Sequence, residues 1–286
     1  MVTLKNWQER MSEDMRLHDF RERTQEAYLL AVRQLIDHLQ IQPRAITEDH
    51  LRAYFLYLRD EKQVAPSTIN VAIHGIRFFF LNTVKRDWAV LDLLRIKRSR
   101  TLPVVLSQPE VRTILKAVRH PVRRMAFVAL YSLGLRINEG LSLTTGDIDS
   151  ERLIVWVRDG KGAVDRGVPL PRPVLARLRK FWKTERPASS TKYLFVADNG
   201  VAPVDDTTLQ KTFAAALAET RIDKVATPHT LRHSYATHLV EAGASLRTVQ
   251  QVLGHKSLRT TEVYLHVTQP GVERLQEILD QLMVGF

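Results

Sequence analysis

The sequence of 286 residues contains no cysteine. This absence excludes disulfide bonds, thiolate nucleophiles and cysteine-ligated zinc sites. A chain without thiols suits a reducing compartment, and we expect the protein to be cytoplasmic.

Long apolar runs are missing as well. A membrane-spanning helix needs about 20 mostly apolar residues, and no segment of this chain approaches that length. The first residues, Met1–Trp7, lack the apolar core of a signal peptide. The Gly-x-x-x-x-Gly-Lys-Ser/Thr loop that binds nucleotide phosphates is also absent. We therefore expect neither a membrane span nor a phosphate loop of this type.

Positive charge is in surplus. The chain has 42 Lys and Arg against 31 Asp and Glu, a formal net charge of +11 and an isoelectric point near 10.0. Residues 1–100 hold 17 basic against 13 acidic residues, and the rest holds 25 against 18. The surplus in both parts favours a polyanionic partner, with nucleic acid the leading candidate and a merely basic protein the alternative.

Apolar residues recur at three- and four-residue spacing through the first ninety residues, which predicts amphipathic helices. Thr47 stands before Glu48 and Asp49, a pattern typical of a helix N-cap. Ser67 is a candidate cap for a fourth helix. We predict a compact helical domain, a bundle of four helices, over residues 1–94, whose surplus of positive charge suits DNA binding.

A short basic segment follows this domain. Residues 95–106 combine a cluster of cations with a proline, which predicts an extended linker. Its candidate contacts to the DNA backbone are Arg95, Lys97, Arg98 and Arg100. A solvated tether explains the same composition equally well. Ser107 and Glu110 then form a capping box that opens a second domain over residues 107–286.

The second domain combines the periodicity of strands with that of helices. Residues 153–157 and 167–170 read as strands around a turn, and 194–196 as a further short strand. Helical patterns cover 174–185, 208–219 and 228–242. The predicted fold class is mainly α, with a helical-bundle domain and a mostly helical second domain that carries a small antiparallel β-sheet.

Several short motifs of the second domain carry groups suited to phosphate chemistry. They contribute Arg136 with Glu139, Lys161, His229 with Arg232 and His233, His255, and Tyr264. Arginine binds phosphate with a rigid fork of donors, lysine or histidine can transfer a proton, and a tyrosine oxygen can act as nucleophile.

Each residue also has a structural explanation when it is taken alone. Tyr264 is more often a core aromatic, and Arg136 beside Glu139 is usually a helix ion pair. His229 and His233 could ligate a metal one helical turn apart, although no third ligand is obvious. The joint occurrence of these residues in one order is what favours a functional site.

Their order and spacing resemble the tyrosine recombinase (phage integrase) family, whose motifs read Arg, Lys, His-x-x-Arg, His or Trp, and Tyr. All six positions are filled here. The layout resembles the compact Xer-like and simple integrase members. The resemblance implies that Tyr264 attacks a DNA phosphodiester and forms a 3′-phosphotyrosyl link. It implies that Arg136 and Arg232 hold the non-bridging oxygens.

The remaining positions take their roles from the same resemblance. Lys161 would protonate the departing 5′-oxygen, and His229 would accept the tyrosine proton or orient the phosphate. His255 would donate to a phosphate oxygen. Glu139 and His233 are assigned supporting roles.

The resemblance also implies partners. We expect double-stranded DNA with inverted-repeat core sites, a homotetramer on that DNA, and neither ATP, metal nor another cofactor. An accessory protein is left open. The alternatives are a type IB-like topoisomerase, which reseals the original strand, and a non-catalytic DNA-binding regulator on the same scaffold.

An amphipathic stripe near the C-terminus generates a first prediction. Its apolar residues follow Tyr264 at helical spacing, and the resemblance implies docking on a neighbouring protomer. Removal of residues 271–286 should weaken assembly on DNA while sparing DNA binding by a monomer, as judged by electrophoretic mobility shift. Loss of the soluble fold would contradict this and favour packing onto its own domain.

Overall fold

The computed structural model describes residues 7–93, 103–158, 165–255, 257, 260–262 and 264. The chain divides into two compact units, Met1–Arg100 and Thr101–Phe286. Within the described ranges, no helix is both long and apolar enough to cross a membrane. The candidate backbone contacts of the predicted linker, the Lys161 position and the C-terminal stripe lie outside the described residues.

The first unit is helical, as predicted. Its helices are α1 (Trp7–Leu17), α2 (Glu22–Leu39), α3 (Glu48–Leu56), α4 (Pro66–Phe78) and α5 (Val90–Leu93), and α3 and α4 each continue into a π-helical turn. Thr47 caps α3 and its Oγ1 accepts the backbone N–H of His50 at 3.4 Å. The proposed cap at Ser67 is wrong, because α4 already begins at Pro66, whose fixed φ suits the first helical position.

The first unit has an aromatic core. Trp7 of α1 meets Phe79 edge to face at 5.5 Å, and Phe79 meets Phe80 in the same way at 5.3 Å. Both phenylalanines are fully buried, because the π-helical turn that carries them packs against α1. Aromatic burial of this kind supplies a large share of the apolar area of a small domain.

The second unit is also mainly helical. Its helices are α6 (Gln108–Ala117), α7 (Pro121–Ser132), α8 (Ile137–Leu141), α9 (Arg172–Thr184), α10 (Asp206–Ala218), α11 (Pro228–Glu241) and α12 (Leu246–Leu253). The predicted capping box at Ser107 is present. Ser107 Oγ accepts the N–H of Glu110, and the Glu110 carboxylate accepts the N–H of Ser107.

A small antiparallel sheet joins these helices. It consists of β1 (Ile148–Asp149), β2 (Ile154–Val157) and β3 (Arg166–Pro169) in sequential order. Val155 pairs with Val168, and Val157 pairs with Arg166. The predicted strand at 194–196 is wrong: Val196 makes only an isolated bridge to Pro203. The short strand β1 was not predicted, because two residues carry no periodicity.

Helix α7 forms the centre of the second core. Its residues from Met125 to Leu130 are all buried, as expected for a helix that is packed on several sides. Helices α6, α9 and α11 pack around it. The described end of the predicted linker belongs to the same core, since Leu106 is fully buried and its N–H donates to Ser234 Oγ on α11 at 2.9 Å.

The turn between α7 and α8 generates a prediction about stability. Gly134 has a φ of +60°, and a Cβ there would lie 2.5 Å from the Tyr235 ring on α11. Gly243 has a φ of +89° with open space around its Cα. Gly243→Ala should lower the free energy of unfolding by the backbone cost alone, about 1–2 kcal/mol. Gly134→Ala should cost a further 1–3 kcal/mol, roughly, because the ring must move.

Amide hydrogen exchange of peptides from α7 and α11 measures both variants in the intact chain. Equal loss of protection in the two variants would show that the close approach of Tyr235 to the turn has no energetic effect.

Candidate active site

The site is built around the carboxylate of Glu139, in the first turn of α8. The Glu139 side chain is 9% exposed. One carboxylate oxygen accepts the backbone N–H of Arg136 at 2.8 Å, and the other accepts the Arg136 guanidinium. The short spacing from Arg136 to Glu139 lets the carboxylate satisfy the free N–H at the start of the helix.

Arg166, the first residue of β3, binds the same carboxylate. Its two terminal nitrogens lie 2.8 and 3.1 Å from the two oxygens of Glu139, and its Nε donates to the carbonyl of Val252 at 2.9 Å. The Arg166 side chain is 11% exposed. A bidentate pair of this kind is geometrically specific, so it fixes β3 to α8 and to the end of α12.

Gly254 makes room for this arginine. It ends α12 with a φ of +65°, and a Cβ at this position would lie 2.9 Å from Cδ of Arg166. A glycine C-cap therefore serves two purposes here: it takes the left-handed conformation, and it lets a guanidinium lie against the backbone.

Arg232 lies beneath this cluster and is 2% exposed. It projects from α11 and donates to the carbonyl of Gly134 at 2.8 Å and to the carbonyl of Leu253 at 2.6 Å. Its Nη1 lies 3.6 Å from the Glu139 carboxylate. One side chain thus links the α7–α8 turn, α11 and the end of α12.

The charges in this cluster shift one another's pKa values. Burial alone would raise the pKa of Glu139, but the hydrogen bonds and charges of Arg166 and Arg136 outweigh it and lower the pKa to about 2. Burial and the charge of Arg136 lower the pKa of Arg232 to about 10. The Glu139 carboxyl and the Arg232 guanidinium are therefore charged at neutral pH. Three guanidinium groups around one carboxylate leave a formal charge of +2.

Tyr264 lies at one side of the cluster and is 1% exposed. Its N–H donates to the carbonyl of Thr261 at 3.1 Å in a tight turn. Its hydroxyl lies 3.0 Å from Nδ1 of His233 on α11. Burial raises the pKa of Tyr264, and the charge of Arg232 opposes that rise.

His255 packs against the same tyrosine. Its ring lies nearly parallel to the Tyr264 ring, with 6.3 Å between centroids. Its Nδ1 lies 2.9 Å from Oγ1 of Thr261, and its backbone N–H donates to the carbonyl of Gln250. The imidazole is therefore held in the turn after α12, where the sequence predicted it.

The histidines of the site are neutral at physiological pH. Burial and the charges of His229 and Arg232 lower the pKa of His233 to about 4. Burial and the neighbouring arginines lower the pKa of His255 to about 4 as well. The pKa of His229, whose ring meets that of His233 edge to face at 4.7 Å, is also lowered, first by burial and then by Arg232. A neutral imidazole can accept a proton or donate a neutral hydrogen bond.

The structure thus brings together most of the residues singled out in the sequence: Arg136, Glu139, His229, Arg232, His233, His255 and Tyr264. The hydroxyl of Tyr264 meets His233, whereas the resemblance implies that His229 accepts the tyrosine proton or orients the phosphate. Arg166 was missed as a site residue. The one sequence signal was a basic residue at the start of a strand, which is not specific.

The same geometry bears on metal binding. Within the described residues, no three His, Asp or Glu side chains are grouped so that they could hold a metal ion. The His229–His233 pair therefore has no third protein ligand there, and the positive charges of Arg232 and Arg136 act on His229.

Comparisons with known proteins agree with the fold and the motifs. Residues 104–270 match the Phage integrase family, and residues 7–90 match the phage integrase N-terminal SAM-like domain. A putative integrase/recombinase of Sinorhizobium fredii, y4qK, is 40% identical over 91% of this chain and 83% of its own length. The tyrosine recombinase XerA of Thermococcus onnurineus is 35% identical over 73% of this chain and 74% of its own.

A solved structure shows the same fold. The XerH site-specific recombinase bound to a palindromic difH substrate, in a post-cleavage complex, superimposes with a TM-score of 0.70. It covers 90% of this chain and 80% of its own, with 22% sequence identity.

The low pKa of Glu139 generates a prediction about pH. The folded-state pKa lies below the usual 4.5, so the ion pairs stabilise the fold fully above that value. Their contribution is lost as the pH falls towards 2. Between pH 5 and 2, the free energy of unfolding should fall on the order of 3 kcal/mol more in the native protein than in Glu139→Gln.

Urea unfolding at a series of pH values measures the difference. Parallel pH curves for the two proteins would contradict the strong pairing of Glu139 with the arginines.

Proposed function

Since the chain belongs to the phage integrase family and is a tyrosine recombinase, an enzyme that cleaves and rejoins DNA, we propose that Tyr264 is its nucleophile and forms a 3′-phosphotyrosyl intermediate. The observation that supports this most directly is the position of the Tyr264 hydroxyl. It lies 3.0 Å from a neutral imidazole, beside a cluster with a formal charge of +2.

The proposed reaction exchanges one phosphoester for another. The Tyr264 oxygen attacks the phosphorus, the bond to the 5′-oxygen breaks, and the 3′-phosphate remains on the tyrosine. A 5′-hydroxyl of another strand then reverses the step and releases the enzyme. The covalent link conserves the energy of the broken phosphodiester, so strand exchange needs no ATP, and no cofactor is proposed.

Arg136 and Arg232 are proposed to stabilise the transition state. The phosphodiester carries one negative charge, and the five-coordinate phosphorus carries about two on its oxygens. Fixed guanidinium groups favour the more highly charged species, which lowers the barrier. Removal of one such donor typically costs about 3 kcal/mol, roughly a hundredfold in rate.

Three further side chains complete the proposed mechanism. Lys161 protonates the departing 5′-oxygen, and His255 donates a hydrogen bond to a phosphate oxygen. The parallel packing of His255 on Tyr264 supports its place beside the nucleophile. His229, buried and neutral beside Arg232, accepts the tyrosine proton or orients the phosphate.

The proposed partner is double-stranded DNA with inverted-repeat core sites, bound by a homotetramer in the cytoplasm. The palindromic substrate of the XerH recombinase supports the inverted repeat. The net charge of +11 supports binding through phosphate contacts, with an affinity that falls steeply as salt rises. Arg95, Lys97, Arg98 and Arg100 are proposed to contact the DNA backbone between the domain of residues 1–94 and that of 107–286.

Substitution of the nucleophile tests the proposal. Tyr264→Phe removes only one oxygen from a buried side chain, so DNA binding should persist while covalent attachment falls below detection. Both proteins are incubated with fragmented genomic DNA and quenched in detergent, and the DNA that stays attached is sequenced. Adducts at one inverted-repeat sequence, from the native protein alone, are expected.

Other outcomes identify the alternatives. Adducts scattered without sequence preference would favour a topoisomerase. Adducts that persist in Tyr264→Phe would remove Tyr264 from the mechanism. Specific binding without adducts from either protein would favour a regulator.

A further inference from the structure

His233 has no role in the six-residue pattern, yet it is the side chain that meets the proposed nucleophile. Its Nδ1 lies 3.0 Å from the Tyr264 hydroxyl, a distance within the range for proton transfer between a tyrosine and a base. Among the described residues, it is the one hydrogen-bond partner of that hydroxyl.

We propose that the neutral imidazole of His233 accepts the phenolic proton of Tyr264 through Nδ1 as the tyrosine oxygen attacks the phosphorus. The proposal rests on the assignment of Tyr264 as nucleophile. It gives His233 a catalytic role, and it leaves His229 to orient the phosphate.

The surroundings of the hydroxyl require a direct acceptor. Tyr264 is 1% exposed, so bulk water does not reach its oxygen, and burial raises its pKa. A buried phenol loses its proton readily only to a group already in contact with it. His233 is in contact, and α11 together with the edge-to-face ring of His229 fixes its orientation.

Bound DNA is expected to raise the pKa of His233 and so to favour this transfer. In the free protein, burial and the charges of His229 and Arg232 hold the pKa of His233 at about 4. Burial likewise lowers the pKa of His255, whose ring packs on Tyr264, so that ring adds no full charge at neutral pH. A phosphate bound by Arg232 neutralises the cation that disfavours the imidazolium. His233 therefore becomes a stronger base when the substrate is in place.

The protons balance over the whole cycle. The phenolic proton moves to Nδ1 as the oxygen–phosphorus bond forms, and the 5′-oxygen takes a proton from Lys161 as its bond breaks. On rejoining, the imidazolium returns its proton to the tyrosine oxygen, and the incoming 5′-hydroxyl gives its proton to Lys161.

A sulfur-substituted substrate separates the two proton transfers. In a duplex with a 5′-bridging phosphorothiolate at the cleavage site, the leaving thiolate needs no acid. Lys161→Ala should therefore cleave the oxygen substrate slowly and the sulfur substrate near the native rate. His233→Ala should form covalent adduct about 100-fold more slowly on both substrates, since loss of a general base costs at least that much.

His233→Asn distinguishes proton transfer from positioning. The Asn oxygen lies close to the position of Nδ1 and accepts a hydrogen bond, but it does not keep a proton at neutral pH. In the native protein the adduct rate should rise with pH and level off as His233 becomes neutral in the DNA complex. In His233→Asn it should stay low and continue to rise with pH towards the pKa of the tyrosine.

The chain offers a matched control on the same helix. His238 of α11 makes an equivalent contact, with Nδ1 2.9 Å from the Tyr131 hydroxyl, outside the candidate site. His238→Ala removes a histidine–tyrosine hydrogen bond without touching the nucleophile, so its adduct rate should stay within about twofold of native. DNA binding and circular dichroism check that each variant is folded.

The outcomes separate the two proposals. Native adduct rates in His233→Ala on the sulfur substrate would overturn the role of His233. A native adduct rate in His233→Asn with an unchanged pH profile would overturn this role too, because that result would show that His233 only positions the tyrosine. If His233→Ala does not fold, the pH profile of the adduct rate in His233→Asn tests the role of His233. Adducts in Tyr264→Phe would instead refute the proposed function.

Discussion

The arrangement of the site depends on one buried carboxylate. Glu139, on α8, binds the guanidinium group of the residue before that helix and those of β3 and α11, two elements that are far away in the sequence. Without the carboxylate, three buried or half-buried cations would repel one another, and without the cations the carboxylate could not stay ionised in a buried position. The ion cluster therefore holds its elements together and leaves a surplus of positive charge, as an enzyme of phosphate esters requires.

Much of the fold and of the site was predictable from the sequence because it depends on local chemistry. The caps at Thr47 and Ser107 involve residues three positions apart, and the apolar periodicity of the long helices is repeated over several turns. The motifs that carry Arg136, Arg232 and Tyr264 stand in a fixed order. A resemblance based on such an order gives the set of residues without giving their contacts.

Contacts between distant segments were not predictable from the sequence. Arg166 reaches a carbonyl 86 positions away, and His233 reaches a hydroxyl 31 positions away. Histidines one turn apart on a helix are indistinguishable by spacing alone, so the sequence did not show that His233, and not His229, contacts the Tyr264 hydroxyl. The strand expected at 194–196 failed for a related reason: β-branched and aromatic residues favour extended backbone, but a strand also needs a partner along its length.

The anchoring of β3 also bears on which strand register the sheet adopts. Val157 pairs with Arg166, and Arg166 is fixed by Glu139 and by the end of α12, so the register of the sheet is set on both sides of the segment between them. A shift of β3 by one residue would exchange the side chains on its two faces and withdraw Arg166 from Glu139, so the ion cluster also selects one strand register over its neighbours.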